Sequence, residues 1–314
     1  MSIKKKKILI TGAAGYIGSH IINFLSQLDY EIHSLDRNKV KFNLKKKYII
    51  DLENNNKIKS KIHYDCIVHL ASYTLPRESF SDVNKYIYGN LKMTHNLIKQ
   101  FPNFSKFIFF STANLYSPSR KVTENSKITV QSPYAESKLI NEKFLYHLSK
   151  SNDYNIAIFR LFNAAGSDIF NNFEYHLKEK NNLLIPSLYK SYCKNSEFKI
   201  NGTKHKTKDG TCIRDFIHVY DIANAVNFFI KNKKSKSYNI YNLGSSKGHS
   251  VKDVIKKFEN LTNNKLKIKN LGNQKGDPSV IVSDCSKIRN DLKWKPKYSS
   301  LLTILKSSIN SFKL

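Results

Sequence analysis

The sequence predicts an α/β fold built on a doubly wound parallel sheet. In the first half of the chain, short runs rich in β-branched and aromatic residues alternate with amphipathic helical patterns. Such alternation is typical of parallel strands joined by right-handed helical crossovers. A glycine-rich turn follows the first strand pattern and opens the first helical pattern. After about residue 164 the elements become shorter, which predicts a smaller α/β lobe toward the C-terminus.

The predicted strands are apolar runs bounded by polar or turn-forming residues. They lie at 7–11, 30–36, 47–50, 64–71, 106–112 and 155–161. Helices are predicted near 17–28, 80–101 and 133–150. We expect residues 1–164 to form one domain and residues 165–314 to form most of a second, substrate-binding lobe. Part of about 213–242 is expected to return to the first domain.

The composition favours a soluble protein with a packed core. The chain has 314 residues, of which 40% are hydrophobic, enough for one large α/β domain or a core domain with a smaller one. No apolar run approaches the ~18 residues of a membrane span, and the N-terminal apolar stretch ends at Thr11, too early for a signal peptide. Four widely spaced cysteines favour free thiols over a zinc site or disulfides. We therefore expect a cytoplasmic protein without a metal.

The net charge of +29 raises the alternative of a nucleic-acid-binding protein. Its lysines, however, are scattered over nearly every segment and accompanied by many asparagines. An AT-rich coding sequence produces the same enrichment without functional demand, and no nucleic-acid-binding motif accompanies it. We expect no nucleic-acid partner, and the alternative of a non-enzymatic basic protein stays open at this point.

A nucleotide site is predicted at the glycine-rich turn. The stretch ILITGAAGYIGSH places Gly12, Gly15 and Gly18 between a strand and a helix, where the backbone can approach a pyrophosphate at the helix N-terminus. Asp36 ends the second predicted strand. A carboxylate there accepts hydrogen bonds from an adenosine ribose and repels a 2′-phosphate, which favours NAD over NADP. The fold class is therefore Rossmann-type.

The GxxGxxG spacing resembles that of the extended short-chain dehydrogenase/reductase family, and the similarity covers nearly the whole chain. This resemblance implies further cofactor contacts on both sides of the pyrophosphate. They are Tyr16 and Ile17 between the glycines, Asp51 and Leu52 beside the adenine, Leu70 and Ala71 along the cofactor, and Asn90, which would tie the central strand to its packed helix.

The same resemblance implies a reacting group of Thr112, Tyr134 and Lys138. Thr112 ends the fifth predicted strand, and SPYAESK supplies a tyrosine and a lysine four residues apart on one helix face. A free phenol has a pKa of about 10, and a nearby ammonium together with the positive nicotinamide ring brings it toward the working range. Tyr134 is expected to take a proton from a sugar hydroxyl, while Thr112 bonds the reacting oxygen and Lys138 also holds the nicotinamide ribose.

The residues after Thr112 narrow the reaction. Nucleotide-sugar dehydratases of this family carry an Asp-Glu pair there, which eliminates water. This chain has Ala113 and Asn114, neither of which exchanges protons as a carboxyl group does, so the sequence argues against dehydration.

Three later segments resemble the UDP-glucose 4-epimerases: RLFNAAGSD, DGTCIRDFIHVYD and YNLGSSKGHSV. The resemblance implies diphosphate contacts by Asn163, Arg214 and Asn182. Where these enzymes carry a second arginine, this chain reads NQKGDPS, so Lys275 is the candidate replacement. Ile281 falls where the family adjusts room for the sugar 2-substituent. His218, flanked by apolar residues, is expected to be structural.

We interpret the sequence as an NAD-dependent nucleotide-sugar 4-epimerase of the UDP-glucose/UDP-galactose type. The reaction would oxidise C4 transiently, rotate the 4-keto sugar and return the hydride. Arg77, near the expected sugar pocket, would meet a diphosphate or a sugar carboxylate. It keeps open a related oxidoreductase or decarboxylase, or an epimerase for uronate or N-acetyl sugars. Family resemblance also implies a homodimer, formed through the Tyr134 helix and the helix near 80–101.

Overall fold

The computed structural model describes residues 5–54, 58–151, 153–170, 172–177, 183–233, 237–272 and 278–314. The strands are β1 Lys6–Thr11, β2 Tyr30–Asp36, β3 Lys46–Ile49, β4 Cys66–His69, β5 Lys106–Thr112, β6 Ser119–Val122, β7 Asn155–Leu161, β8 Asn163–Ala165, β9 Tyr175–His176, β10 Phe198–Asn201, β11 Ile213–His218, β12 Ser237–Leu243, β13 Gly248–Ser250, β14 Ile268–Leu271, β15 Val280–Ser283 and β16 Phe312–Lys313. The α-helices are α1 Tyr16–Leu25, α2 Asn90–Gln100, α3 Pro133–Ser151, α4 Leu184–Cys193, α5 Val219–Lys231, α6 Val251–Thr262, α7 Ser286–Leu292 and α8 Leu301–Ser311.

A seven-stranded parallel sheet forms the centre of the fold, in the order β12-β7-β5-β4-β1-β2-β3. The chain winds outward from β1 in one direction and from β4 in the other. The strand order therefore reverses between β1 and β4. In open α/β sheets, ligands bind at such a reversal, beyond the carboxyl ends of the strands.

The central strands are apolar along their length because helices cover both faces. Alternate residues of β1 point to opposite sides, so Ile8 and Ile10 join one core and Leu9 joins the other. Helices α1 and α5 cover the first face, and α2 and α3 cover the second. Residue Leu145 of α3 is fully buried on that second face, which fixes the helix over β5 and β7.

A second sheet follows the path β13-β11-β15-β6, and β8 also pairs with β11. Its neighbouring core is built by α4, α6 and α8, with Leu188, Phe258 and Ile304 fully buried. Strand β12 returns to the seven-stranded sheet beside β7. The division into domains at residue 164 stays a prediction.

Most predicted elements of the first half lie where the sequence places them. Strands β5 and β7 match the predicted 106–112 and 155–161 to the residue. The helix predicted near 80–101 is helical over residues 83–100, with a π-helix at Lys85–Gly89 leading into α2, and a separate 3₁₀ turn precedes it at Glu78–Phe80. Gly89 packs tightly there, because a Cβ would lie 3.0 Å from side-chain atoms of Glu53 and Tyr73.

Two features are absent from the part of the chain that the structure describes. No helix among them is long and apolar enough to cross a membrane. Within the same part of the chain, no group of three or more His, Cys, Asp or Glu side chains is placed to hold a metal ion.

Candidate active site

The glycine turn after β1 leaves the N-terminus of α1 accessible. Gly12 has φ +65°, and a Cβ there would lie 2.8 Å from the Ala71 backbone nitrogen. A Cβ at Gly18 would lie 2.3 Å from the Gly12 carbonyl oxygen. Both positions are therefore restricted to glycine by packing within the turn.

Gly15 has a different role, as the residue that caps α1. A Cβ there would meet only the Gly12 oxygen, at 3.0 Å, a contact tighter than ordinary van der Waals distance but less severe than at the other two glycines. It has no side chain with which to cap the first N–H groups of the helix, so these groups and the positive helix end are left to an anion. This cradle fits the pyrophosphate of NAD.

Tyr16 and Ile17 begin α1 directly after this cap. The Tyr16 hydroxyl donates to the Gly166 carbonyl oxygen, and its ring packs against Tyr175. Ile17 packs against the hydrophobic core on the sheet face that α1 and α5 cover. Their side chains thus anchor the helix, and only their backbone N–H groups are placed to bind an anion.

Asp36 connects the end of β2 to the glycine turn. Its two carboxylate oxygens accept hydrogen bonds from the backbone N–H groups of Ala14, at 3.0 Å, and Asn38, at 2.8 Å. A carboxylate has about four acceptor positions, so these bonds leave capacity for the two hydroxyls of a ribose. The adjacent Arg37 is exposed, with its guanidinium 6.0 Å from the centre of the Tyr73 ring.

Two predicted cofactor segments line the adjoining strand ends. Asp51 accepts from the Glu53 N–H at 3.0 Å, and Leu52 is buried beside it. The N–H groups of Leu70 and Ala71 donate to the Thr11 hydroxyl, each at 3.2 Å. These bonds hold the ends of β1 and β4 together around the glycine turn.

Asn90 joins the segment after β4 to helix α3. Its side-chain oxygen accepts from the Tyr73 N–H at 2.7 Å, and its amide nitrogen donates to the Ser137 hydroxyl at 2.9 Å. The side chain is buried, so its role in this structure is to position the loop and the helix that carries Tyr134.

Thr112, Tyr134 and Lys138 are brought together by the packing of α3 on β5, and all three are buried. The Thr112 hydroxyl accepts from the Asn114 N–H at 3.1 Å, and the Thr112 side chain is near enough to Tyr134 to act on its pKa. Lys138 donates to the Ser72 hydroxyl at 2.9 Å and to the Phe110 carbonyl oxygen at 3.0 Å. An ammonium has three donors, so these two bonds leave one for a ligand.

Burial dominates the protonation of this group. It raises the pKa of Tyr134 to about 12, although the Thr112 side chain acts in the opposite direction. Burial also lowers the pKa of Lys138 to about 7, and the negative charge of Glu142 opposes that shift. The expected lowering of the Tyr134 pKa by Lys138 and the positive nicotinamide ring together stays a prediction, because half of that charge comes with the cofactor. The Lys138 ammonium lies 6.0 Å from the centre of the phenol ring and is itself charged in only part of the molecules at neutral pH.

Two of the predicted substrate residues, Arg214 and Asn163, lie on the second sheet or beside it. Arg214 of β11 is directly opposite Ile281 of β15 and His249 of β13, so the three side chains leave the same face of the sheet. Ile281 packs in one cluster with Ala113, the residue that follows Thr112. This contact places the row of Arg214, Ile281 and His249, here called the Arg214 row, beside the segment that follows Thr112. Asn163 begins β8, beside β11, and is exposed.

The sequence analysis named four further residues, whose outcomes differ. Arg77 is exposed immediately before the 3₁₀ turn. Asn182 and Lys275 lie outside the described residues. His218 is fully buried, and its ring bonds the Ser307 hydroxyl at 3.0 Å and the Tyr220 N–H at 3.1 Å. It has the satisfied structural environment expected for it.

The sequence argument missed a buried polar cluster behind the reacting group. Glu142 and Arg160 form a bidentate ion pair with distances of 2.7 and 3.0 Å, and both side chains are 3% exposed. The Ser111 hydroxyl donates to Glu142 at 2.5 Å. One signal was available, since Glu142 follows Lys138 by four residues on the same helix face.

The NAD dependent epimerase/dehydratase family model matches residues 8–244. The chain belongs to this family. A UDP-glucose 4-epimerase from Halalkalibacterium halodurans is 31% identical over 96% of this chain and 94% of its own length. The solved UDP-Glc/GlcNAc 4-epimerase from Campylobacter jejuni is 36% identical, with a TM-score of 0.79 over 97% of this chain and 98% of that one.

A third relative bears on the cofactor. The UDP-glucose 4-epimerase of Bifidobacterium longum, solved in complex with NAD⁺ and UDP, superposes with a TM-score of 0.85 over 97% of both chains, at 26% identity. The predictions of a Rossmann-type α/β fold, of an NAD-dependent epimerase and of NAD as cofactor are confirmed. The reversal of strand order between β1 and β4 stays the predicted position of this cofactor.

Proposed function

We propose that this NAD-dependent epimerase interconverts UDP-glucose and UDP-galactose by inverting C4 of the sugar. The observation that carries the proposal is the convergence of Thr112, Tyr134 and Lys138 beside the Arg214 row. Ala113 and Asn114 follow Thr112 where an eliminating enzyme needs carboxyl groups. Such a site is suited to removing and replacing one proton and one hydride at the same carbon.

NAD, when bound, accepts a hydride from the sugar and returns it. Tyr134 holds and moves the proton of the C4 hydroxyl, while Thr112 donates or accepts a hydrogen bond at the same oxygen. Because burial raises the pKa of Tyr134 to about 12, the phenol alone is a weak base at neutral pH. The positive charges of Lys138 and of oxidised nicotinamide favour its ionised form.

Arg214 is the residue proposed to bind the substrate diphosphate. A guanidinium matches phosphate oxygens with paired N–H donors, and its strand places it in the row that faces Ala113. Asn163, exposed at the start of β8, adds an amide on the neighbouring strand. Contacts by Asn182, Lys275 and Arg77 stay proposals from the sequence resemblance.

A panel of nucleotide sugars tests the proposal directly. Purified protein is denatured to measure released nicotinamide cofactor. Native protein is then incubated with UDP-glucose, UDP-galactose, UDP-N-acetylglucosamine or UDP-glucuronate, and the products are separated by chromatography. We expect bound NAD and the same UDP-glucose/UDP-galactose mixture from either direction. Conversion of only the N-acetylated sugar, or of only the uronate, would show that the proposed substrate is wrong. Release of carbon dioxide would show a decarboxylase instead of an epimerase.

We further infer a cytoplasmic homodimer that contacts itself through α3 and the segment before α2. Large apolar side chains are exposed on both elements: Phe80 at 60%, Tyr88 at 73% and Tyr146 at 42%. Apolar exposure of this kind favours a protein contact. Light scattering of the purified enzyme tests the assembly, and a monomer at working concentration would refute it. Absence of a nucleic-acid partner also stays a prediction.

A further inference from the structure

The buried contact between α3 and β5 has three successive points. The Ser111 hydroxyl donates to Glu142, and the neighbouring Phe110 carbonyl oxygen accepts from Lys138. Thr112, the next strand residue, acts on the pKa of Tyr134. Tyr134, Lys138 and Glu142 are four residues apart and share one helix face. Three consecutive strand residues therefore face three consecutive turns of the helix, and two of these contacts are hydrogen bonds.

Glu142 is the member of this contact that does not face the proposed substrate. Its two oxygens are held by the Arg160 guanidinium, and one of them also accepts from Ser111. Arg160 in turn donates to the Tyr116 hydroxyl at 2.9 Å, and Tyr116 donates to Asn242 at 2.7 Å. The carboxylate is thus fixed from α3, β5 and β7 at once, with β12 behind it.

We propose that the Glu142–Arg160 pair is a positioning device for Lys138: through Ser111 it fixes α3 on β5, beside the hydrogen bond from the Lys138 ammonium to the Phe110 carbonyl oxygen. This inference rests on the proposed function, because it assumes that Lys138 serves the reaction. It adds Glu142 and Arg160 as positioning residues, neither of which contacts substrate or cofactor.

The charges around Lys138 support this role. Glu142 is the acidic group whose field favours the ammonium against the cost of burial. His69, at the end of β4, also lies close; burial and the Lys138 charge lower its pKa to about 3, so the imidazole is neutral in the working range. Tyr134 stays protonated there until a ligand charge is added. Arg160 is neutralised by its bidentate contact with Glu142, so the carboxylate is held without its charge being left unpaired.

The test uses E142Q in the complete enzyme, with E136Q on the same helix as the matched control. Two readouts are taken: the pH profile of kcat, and the titration of Lys138 by NMR of protein labelled at the lysine ε-carbons. The Lys138 signal is identified by its loss in K138M. We expect the Lys138 titration and the alkaline limb of kcat to move down by about one pH unit in E142Q, with a KM change below about twofold. E136Q should leave both unchanged.

A second variant covers the case in which E142Q does not fold. E142M/R160M removes both charges and keeps apolar volume, a replacement that buried ion pairs often tolerate. It should fold, retain NAD and show a downward shift of the Lys138 titration that is smaller than in E142Q, because both charges of the pair are removed. If either folded variant retains NAD and leaves both the titration and the pH profile unchanged, the pair is only structural and the inference is overturned. The NMR titration needs no turnover. A wild-type enzyme that is inactive on every UDP-sugar would therefore refute the proposed function, while the Lys138 titration would still report on the Glu142–Arg160 pair.

Discussion

Glu142 and Asp215 are both buried carboxylates, yet the two regions of the molecule hold them differently. Glu142, beside the seven-stranded sheet, is paired with the Arg160 guanidinium. Asp215, on the second sheet, accepts from the hydroxyl and N–H groups of Ser245 and Ser283 and from the Ser246 N–H. Burial raises the pKa of Asp215 despite these five donors.

The difference fits the charge that each region handles. On the cofactor side, a fixed negative charge must support a buried lysine, and an arginine holds it in place. On the substrate side, Asp215 is satisfied by serines and backbone although Arg214 is its sequence neighbour. A neutral set of donors therefore anchors the strand without using the Arg214 guanidinium, which we propose to bind the substrate diphosphate. Substitutions on the cofactor side should therefore change catalysis most, whereas substitution of Asp215 should change stability most.

The largest effect is expected from Y134F on the cofactor side. Removing the hydroxyl removes the group that moves the proton, so kcat should fall by about 10³-fold. NAD content after denaturation and thermal stability should stay close to wild type, because the ring keeps its packing. Retention of more than a tenth of the wild-type kcat would mean that another group moves the proton.

On the substrate side, D215A should mainly reduce stability. The variant leaves five donors without their acceptor in a buried site, which lowers the free energy of unfolding by about 3 kcal/mol. Denaturant unfolding measures this, with D29N as control, since Asp29 is 69% exposed and should change stability by less than about 0.5 kcal/mol. A loss no greater than that of the control would contradict the anchoring role of Asp215.

K138M is expected to stabilise the protein while it inactivates the enzyme. The folded-state pKa of Lys138 is about 7, below the ordinary value of 10.5, so the unfolded chain binds more protons between those pH values. Wild-type stability at this site therefore rises as pH rises through that window, and the burial penalty is complete below it. We expect K138M to gain on the order of 1–3 kcal/mol near pH 6 and less near pH 10. Equal gains at both pH values would contradict the depressed pKa.

The smallest effect is expected from R214K. Lysine keeps the positive charge and loses the paired donors of the guanidinium. KM for UDP-glucose should rise by about tenfold, with kcat within about threefold of wild type. K247R, a change on the neighbouring loop that keeps the charge, serves as the control. A kcat loss larger than the KM effect would place Arg214 closer to the reacting carbon than the strand register implies.

Much of the fold follows from local patterns. Strands β5 and β7 are apolar runs buried on both faces, so their bounds are visible in the sequence. The π-helix before α2 is not, because it depends on the packing of Gly89 against Glu53 and Tyr73. These partners come from the segments after β3 and β4, and no local propensity includes them.

The reacting group shows the same division. The sequence by itself determined the residue types: a glycine turn for a pyrophosphate, and a tyrosine and lysine on one helix face after a strand-end threonine. Only the tertiary structure decided their protonation, because the pKa values of Tyr134 and Lys138 are set first by burial. It also brought Glu142 together with Arg160, 18 residues apart in sequence. Desolvation and long-range ion pairing arise only when separate elements pack and exclude water, so spacing along the chain does not contain them.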